Sequence, residues 1–159
     1  MIRKLMFASM VLGLFAVPLH QASAAQRGPV TVEANQMELL EGGKQAIFTG
    51  AVDAVRTDGR IKADKMIVDY TDVKQADGTT KSEVSYLDCT GNVLITTKSQ
   101  VITGEWAKMN VTANTLVVGG NVKVVQGKAV LTGPKLNVDL NTDKTVMSGG
   151  RVKGSFVPN

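Results

Sequence analysis

The chain of 159 residues has few of the side chains on which enzymatic and metal-dependent chemistry usually depends. It contains one histidine, His20, and one cysteine, Cys89. A lone cysteine excludes an internal disulfide. A single histidine excludes a histidine-rich metal cluster. His20 also lies in the first 24 residues, which we expect below to be removed, and without it a histidine-based catalytic triad is excluded. Asp88 and Thr90 beside Cys89 supply no cation to stabilise a thiolate, so Cys89 is expected to be a small buried residue.

Other absences narrow the function further. Aromatic residues make up 4% of the chain, which provides little stacking surface for nucleic-acid bases. The sequence has no Gly-x-x-x-x-Gly-Lys-Ser/Thr phosphate loop and no paired carboxylates spaced for hydrolysis. Without Arg3 and Lys4, the chain has 16 basic and 14 acidic residues, so its net charge is near +2. Basic and acidic residues are distributed along the whole sequence. These features favour a protein that is not an enzyme, has no cofactor or metal, and does not bind nucleic acid.

The first residues have the pattern of a cleavable signal peptide. A basic pair, Arg3-Lys4, precedes an apolar segment over residues 5–19 that is short for a membrane span, and Ala22-Ser23-Ala24 forms a small-x-small cleavage site. We therefore expect residues 1–24 to be removed on export. An uncleaved membrane anchor is the alternative. The remaining residues 25–159 have the length of one domain.

The sequence after the leader is typical of strands. Valine, threonine, isoleucine and glycine dominate, and turn pairs recur, for example at Asp58-Gly59 and Gly127-Lys128. Apolar residues alternate with polar ones over short stretches, which is the period of a strand with one buried face. These patterns predict an all-β protein.

An internal repeat organises these strands. Gly91 and Gly104 are thirteen residues apart, as are Gly120 and Gly133, and the second pair follows the first by 29 residues. Each repeat reads as a hairpin with a small residue midway in both strands, where glycine marks a bend. Hairpins that bend at one level stack into two facing sheets, an elongated roll. An earlier copy at Gly50 is twelve residues longer, and we expect the polar run 71–82 to loop out the excess.

The alternation also predicts which side chains point into the roll. They are medium-sized aliphatic residues and methionines: Val52, Ile61, Met66, Val68, Val93, Ile95, Ile102, Met109, Val111, Val122, Val124, Leu131, Leu136 and Val138. Two interpretations are open. The residues form an ordinary packed core, or the slender repeat leaves a lengthwise apolar slot with adaptable methionine walls.

Several segments, in this order, resemble the OstA-domain family and, more narrowly, its LptA-like periplasmic bridge proteins. They are Val30–Ala34, Phe48–Val52, Ile61–Val68 and the recurring Thr-Gly-Asn-Val. Each motif is short, and their ordered recurrence over the whole chain after the leader makes the match specific. The resemblance implies a V-shaped β-jellyroll of about sixteen short antiparallel strands whose apolar interior holds the acyl chains of lipopolysaccharide.

The resemblance also implies a location and partners. The protein would act in the periplasm, stacking end to end with the jellyrolls of the inner-membrane LptC and the outer-membrane LptD, and with copies of itself. Strand addition at the first and last strands would join neighbours. The expected contact residues at these edges are Val30, Val32, Val146 and Val152.

Two alternatives to a lipid conduit follow from the same residues. An exported structural or adhesive β-repeat protein would have the same edges around a dry packed core. A carbohydrate-binding jellyroll would need an exposed aromatic platform, for which only Trp106, Tyr70 and Tyr86 are available. The strand alternation places Trp106 on the outward face. Its side chain is either an exposed surface contact or a cover over one end of the core. Lys65, Lys108 and Lys135 are either solvated or placed to meet lipid phosphates.

Overall fold

The structure is a computed structural model and describes residues 30–40, 42 and 44–158; the expected signal peptide and cleavage site lie outside this part of the chain. All the regular elements of the described residues are strands. They are β1 (Thr31–Glu33), β2 (Gln36–Leu40), β3 (Gln45–Arg56), β4 (Gly59–Lys74), β5 (Thr80–Thr97), β6 (Val101–Asn110), β7 (Thr115–Gln126), β8 (Ala129–Asp139), β9 (Lys144–Ser148) and β10 (Lys153–Ser155). The prediction of an all-β fold is confirmed.

The strands form one antiparallel sheet in which β3 to β8 follow one another in chain order. The turn pairs identified in the sequence join them, with tight turns at residues 57–58 and 127–128. At one side, β1 and β2 pair with the two halves of β3. At the other side, β9 and β10 pair with the two halves of β8. The short strands therefore form the two edges of the sheet.

A crease crosses the six long strands β3 to β8. Every neighbouring pair of these strands has a shift in pairing register at this level, for example between Thr90 and Val93 in β5, and the β4–β5 pair has a second shift at Asp69 and Tyr70. Two successive residues at the crease in β5 have positive φ, Gly91 at 82° and Asn92 at 46°, and the pairs at Gly50 and Gly120 repeat this conformation. The mid-strand glycines therefore mark the bends, as predicted.

The crease converts the sheet into two layers. The first layer contains β1, β10 and the halves of β3 to β8 next to the turns at residues 57–58, 98–100 and 127–128; the second contains β2, β9 and the other halves. Six divided strands and four short ones give sixteen segments, which agrees with the expected jellyroll although the strands number ten. Buried residues from both layers form a single core.

The expected loop over residues 71–82 is wrong. The β4–β5 hairpin simply continues outward, because β4 runs to Lys74 and β5 begins at Thr80. A tight turn closes it, where the Asp77 carboxylate accepts a hydrogen bond of 2.9 Å from the Thr79 amide. Paired backbone groups satisfy one another in a long hairpin, so a polar stretch can extend the strands without a core beneath it.

Candidate functional site

The structure places all the predicted inner-face residues on the inside of the two layers. Eleven belong to the buried core: Val52, Met66, Val68, Val93, Ile95, Ile102, Met109, Val122, Val124, Leu136 and Val138. Three are partly buried and pack against it: Ile61, Val111 and Leu131. No polar side chain is buried among the described residues. The inner face is thus continuously apolar, while its role in binding lipid stays a prediction.

Sequence reasoning missed part of this face. Ala46, Phe48, Leu116 and Val118 are also buried in the core. They are paired across the sheet with residues that the sequence predicts on the inner face: Leu116 pairs with Met109 and Val138, and Phe48 pairs with Met66. Extending the period of two by two or three steps from Val52 along β3 and from Val122 along β7 would have identified them.

An apolar cleft of about 340 Å³ opens between the free margins of the two layers, opposite the crease. Its walls combine both layers, with Ile61 and Ile95 from the first and Met109 and Leu116 from the second. Ligand pockets commonly measure about 300–1,000 Å³, so the cleft has room for one small apolar group. The inner face is therefore accessible from outside through this opening.

The rim of the cleft is polar. On the first layer, the Arg56 guanidinium donates a hydrogen bond of 2.7 Å to the Asp58 carboxylate. Arg60 donates one of 2.7 Å to Asp53, and this bond holds the pKa of the Asp53 carboxyl below its usual range. Asn114 and Asp143 line the opposite rim. A polar rim above an apolar floor suits a ligand that is itself amphipathic.

Cys89 lies in the core between its strand neighbours Met66 and Ala107. Burial, with a smaller contribution from the charge of Asp88, raises the pKa of its thiol to about 12. The thiol is therefore protonated at neutral pH and does not act as a nucleophile. This position agrees with the small buried residue that the sequence predicts.

The two edges leave inner-face residues uncovered. At the N-terminal edge, Met37 and Leu39 of β2 are 57% and 63% exposed although they pair with the buried residues Phe48 and Ala46. At the C-terminal edge, a Cβ atom built on Gly133 would meet Met147 and Val152, and Val152 is 42% exposed. Side chains paired across a sheet share one face. The apolar inner face therefore continues to both ends of the roll and is open there.

The expected edge contacts divide between the layers. Val30 and Val32 lie at or beside β1, while Val152 precedes β10 and Val146 belongs to β9. Val30, Val146 and Val152 are exposed and Val32 is partly buried. A single last strand at the C-terminal edge is expected from the sequence, whereas two short strands, β9 and β10, lie there, and β2 is a further edge strand at the N-terminal side. The structure corrects both points, since the crease gives every edge two strands.

Trp106 and the three lysines lie on the outside of the second layer. The indole packs against Gly119 on the neighbouring strand β7, which agrees with its outward parity. Lys65 and Lys135 belong to the same outer row. The Lys108 ammonium lies 3.2 Å from the Asp88 carboxylate. This face is separate from the cleft.

Comparison with known proteins decides the family. The family described as "LptA/(LptD N-terminal domain) LPS transport protein" matches residues 31–144. This chain belongs to that family. An uncharacterized protein of Rhizobium meliloti (strain 1021) is 30% identical over 136 residues, which cover 82% of this chain and 72% of the relative.

A solved structure has the same fold. The crystal structure of LptH from Pseudomonas aeruginosa, described as the LptA homologous periplasmic component of the conserved lipopolysaccharide transport device, matches with a TM-score of 0.69. The match covers 82% of this chain and 96% of LptH at 16% identity, and so shows the fold alone. Within the described part of this family member, no group of side chains is arranged to hold a metal ion. None of the described residues forms a helix long and apolar enough to cross a membrane.

Proposed function

We propose that this protein is a non-enzymatic periplasmic bridge that conducts lipopolysaccharide from the inner to the outer membrane along its apolar inner face. The observation that carries the proposal is the shape of this face. It is apolar along its length, accessible through the cleft and uncovered at both edges of the sheet. Export by cleavage of residues 1–24 would deliver residues 25–159 to the periplasm.

The free energy of lipid transfer explains why such a face is needed. Removing one methylene group from water lowers the free energy by about 0.8 kcal/mol. Exposing several acyl chains to water therefore costs tens of kcal/mol. A continuous apolar face lowers this cost at every step without a single tight site. The chain only conducts, and the energy for extraction comes from elsewhere.

The size of the cleft adds a condition to this function. A volume of about 340 Å³ is too small for the acyl chains of a complete lipopolysaccharide molecule. The two layers must therefore move apart when the lipid enters. The crease provides a line along which they can do so, because all six long strands bend there.

End-to-end assembly would make the conduit continuous. The edges present β1 and β2 at one end and β9 and β10 at the other, and unpaired strand edges are suited to strand addition. The partners we propose are the jellyrolls of LptC and LptD and further copies of this chain, joined head to tail. A contact of this kind does not close on itself, so filaments can form.

Site-specific photocrosslinking tests the proposal. A photoreactive amino acid is placed at Ile95 or Met109, whose side chains line the cleft, and at the adjacent positions Leu94 and Lys108, which have the opposite parity. In cells making lipopolysaccharide, we expect adducts from the inner positions and none from the adjacent controls. The two members of each pair are neighbours on one strand, so they differ mainly in the face of the layer on which the side chain lies.

The same experiment distinguishes the alternative function. If the folded and exported variants form no lipid adduct at any inner position, the core is dry and the protein is a structural or adhesive β-repeat protein. End-to-end assembly alone does not separate the two functions, because both predict it. Lipid contact with the inner face does.

A further inference from the structure

A second concavity lies on the outer surface of the first layer, beside the crease. This outer groove has a volume of about 880 Å³ and is lined by Glu105, Gly120, Asn121, Val122, Lys123, Thr132, Gly133, Pro134, Arg151 and Lys153. The outer groove shares no lining residue with the cleft and is therefore separate from it. Its lining includes three cationic side chains, Lys123, Arg151 and Lys153.

The cations of the outer groove differ from many others on the molecule. Elsewhere, five cationic side chains lie within 4.0 Å of an aspartate: Lys44, Arg56, Arg60, Lys62 and Lys108. Among the described residues, no such ion pair involves Lys123, Arg151 or Lys153. All three are exposed. Their positive charge is therefore available to a ligand.

The sheet register brings two of these cations to one side of the groove. Lys123 of β7 and Lys153 of β10 both pair with Thr132 of β8, one from each side. Paired residues share a face, and two strand spacings amount to about 10 Å. Two lysine side chains can reach one anion across that span. Arg151 lines the same groove and offers a planar fork of donors that matches phosphate oxygens.

Glu105 is the one carboxylate in the lining. Its Oε1 accepts a hydrogen bond of 2.8 Å from the Asn121 amide, which holds it beside the crease. A negative charge at this place opposes an incoming anion. Its removal is expected to strengthen anion binding, which provides a variant whose effect has the opposite sign to that of the lysine variants.

We infer that the outer groove is a binding site for a phosphate group, held by Lys123, Arg151 and Lys153 with the Thr132 hydroxyl between the two lysines. The phosphate belongs either to a soluble phosphate compound or to a phospholipid headgroup. The site is independent of acyl-chain binding in the cleft, because it lies on the opposite surface of the first layer.

Titration of the isotope-labelled protein with inorganic pyrophosphate, followed by NMR, tests the inference. Saturable shifts are expected at Lys123, Thr132 and Lys153. The exposed double variant K123Q/K153Q should weaken binding about tenfold or more, because charge-assisted hydrogen bonds are lost. The matched control K74Q/K98Q removes two exposed charges at hairpin tips and should change affinity by less than about twofold. Glu105→Gln should tighten binding.

Flotation with vesicles identifies the source of the phosphate. Binding to phosphatidylcholine vesicles that contain phosphatidylglycerol, lost in K123Q/K153Q, assigns the site to a headgroup. Binding to pyrophosphate without vesicle binding assigns it to a soluble compound. The inference is overturned if neither probe binds. It is also overturned if K74Q/K98Q weakens binding as much as K123Q/K153Q, because the attraction is then a diffuse charge effect.

Discussion

At the residue scale, the bend of the long strands depends on positions that cannot accommodate a side chain. Gly91 has φ of 82°, and a Cβ atom built on it would collide with the Asp64 side chain on β4. The Asp64 carboxylate in turn accepts a hydrogen bond of 2.8 Å from the Asn92 amide. Glu105, Gly120 and Asn121 repeat this arrangement. The recurring glycine is therefore a structural requirement of the crease, while Ala51 stands in the place of the asparagine after Gly50.

Two glycine substitutions separate the steric requirement from backbone strain. Gly78 has φ of 85°, almost the same as Gly91, but nothing lies within 4 Å of its built Cβ. We expect Gly78→Ala to cost about 1–2 kcal/mol, from the left-handed backbone alone. Gly91→Ala should cost about 1–3 kcal/mol more because of the collision with Asp64. Urea unfolding measures both, and equal losses would show that the crease has room for a side chain.

Burial of Cys89 makes a prediction about reactivity and pH. With its pKa raised to about 12, the thiol should react with a disulfide reagent at pH 8 far more slowly in the native protein than in urea. The neutral Cys89 thiol makes its full contribution to stability below the unfolded-state pKa of about 9. This contribution is lost as the pH rises from about 9 through about 12, because the thiol ionises more readily in the unfolded chain than in the native protein. Equal labelling rates at pH 8 would contradict this burial.

The faces of individual residues could be predicted well where alternation is clear. Val93 and Ile95 point inward and Trp106 outward, as their parity indicates. The partners of a residue across the sheet were harder to predict, since the register depends on the positions of the turns. The packing of the Trp106 indole on Gly119 is a contact of this kind.

At the element scale, the edges decide how the molecule joins others. Met37 and Leu39 on β2 expose apolar side chains that continue the inner face. We expect Leu39→Lys to weaken end-to-end association, because charged residues on an edge strand oppose strand addition. Sedimentation at several protein concentrations measures the effect.

The matched control for this variant is Val101→Lys. Val101 is also an exposed aliphatic residue on a strand, but β6 has neighbours on both sides and offers no edge. The control should associate as the unchanged protein does. If both variants weaken association equally, the contact involves the broad surface of the layers and not the edge strands.

The bends of the hairpins could be predicted from the sequence, because a glycine inside a strand marks a bend. The regular spacing of the glycines places these bends at one level. The length of the β4–β5 hairpin was not predictable in the same way. Residues 71–74 and 80–83 have little apolar alternation, and they are held as strands mainly by their pairing with each other. The two strands at each edge were not predicted. At the C-terminal edge, β9 and β10 are separate strands because they pair with the halves of β8 on either side of the crease.

At the scale of the whole molecule, the account requires a change of shape. The cleft has a volume of about 340 Å³, and a lipid between the layers must separate their margins. The separation should be greatest at the hairpin turns, which lie farthest from the crease. Distances within one layer should stay constant, because its strands are held together by the sheet.

Pulsed electron spin resonance between two spin labels measures this separation most directly. In a Cys89→Ala background, labels at Lys98 and Thr112 lie on turns of opposite layers, whereas labels at Lys98 and Lys128 lie on turns of one layer. The account predicts that lipopolysaccharide lengthens the Lys98–Thr112 distance by several ångströms and leaves the Lys98–Lys128 distance unchanged. An unchanged Lys98–Thr112 distance in protein that has bound lipopolysaccharide would contradict it, because the lipid would then lie outside the two layers.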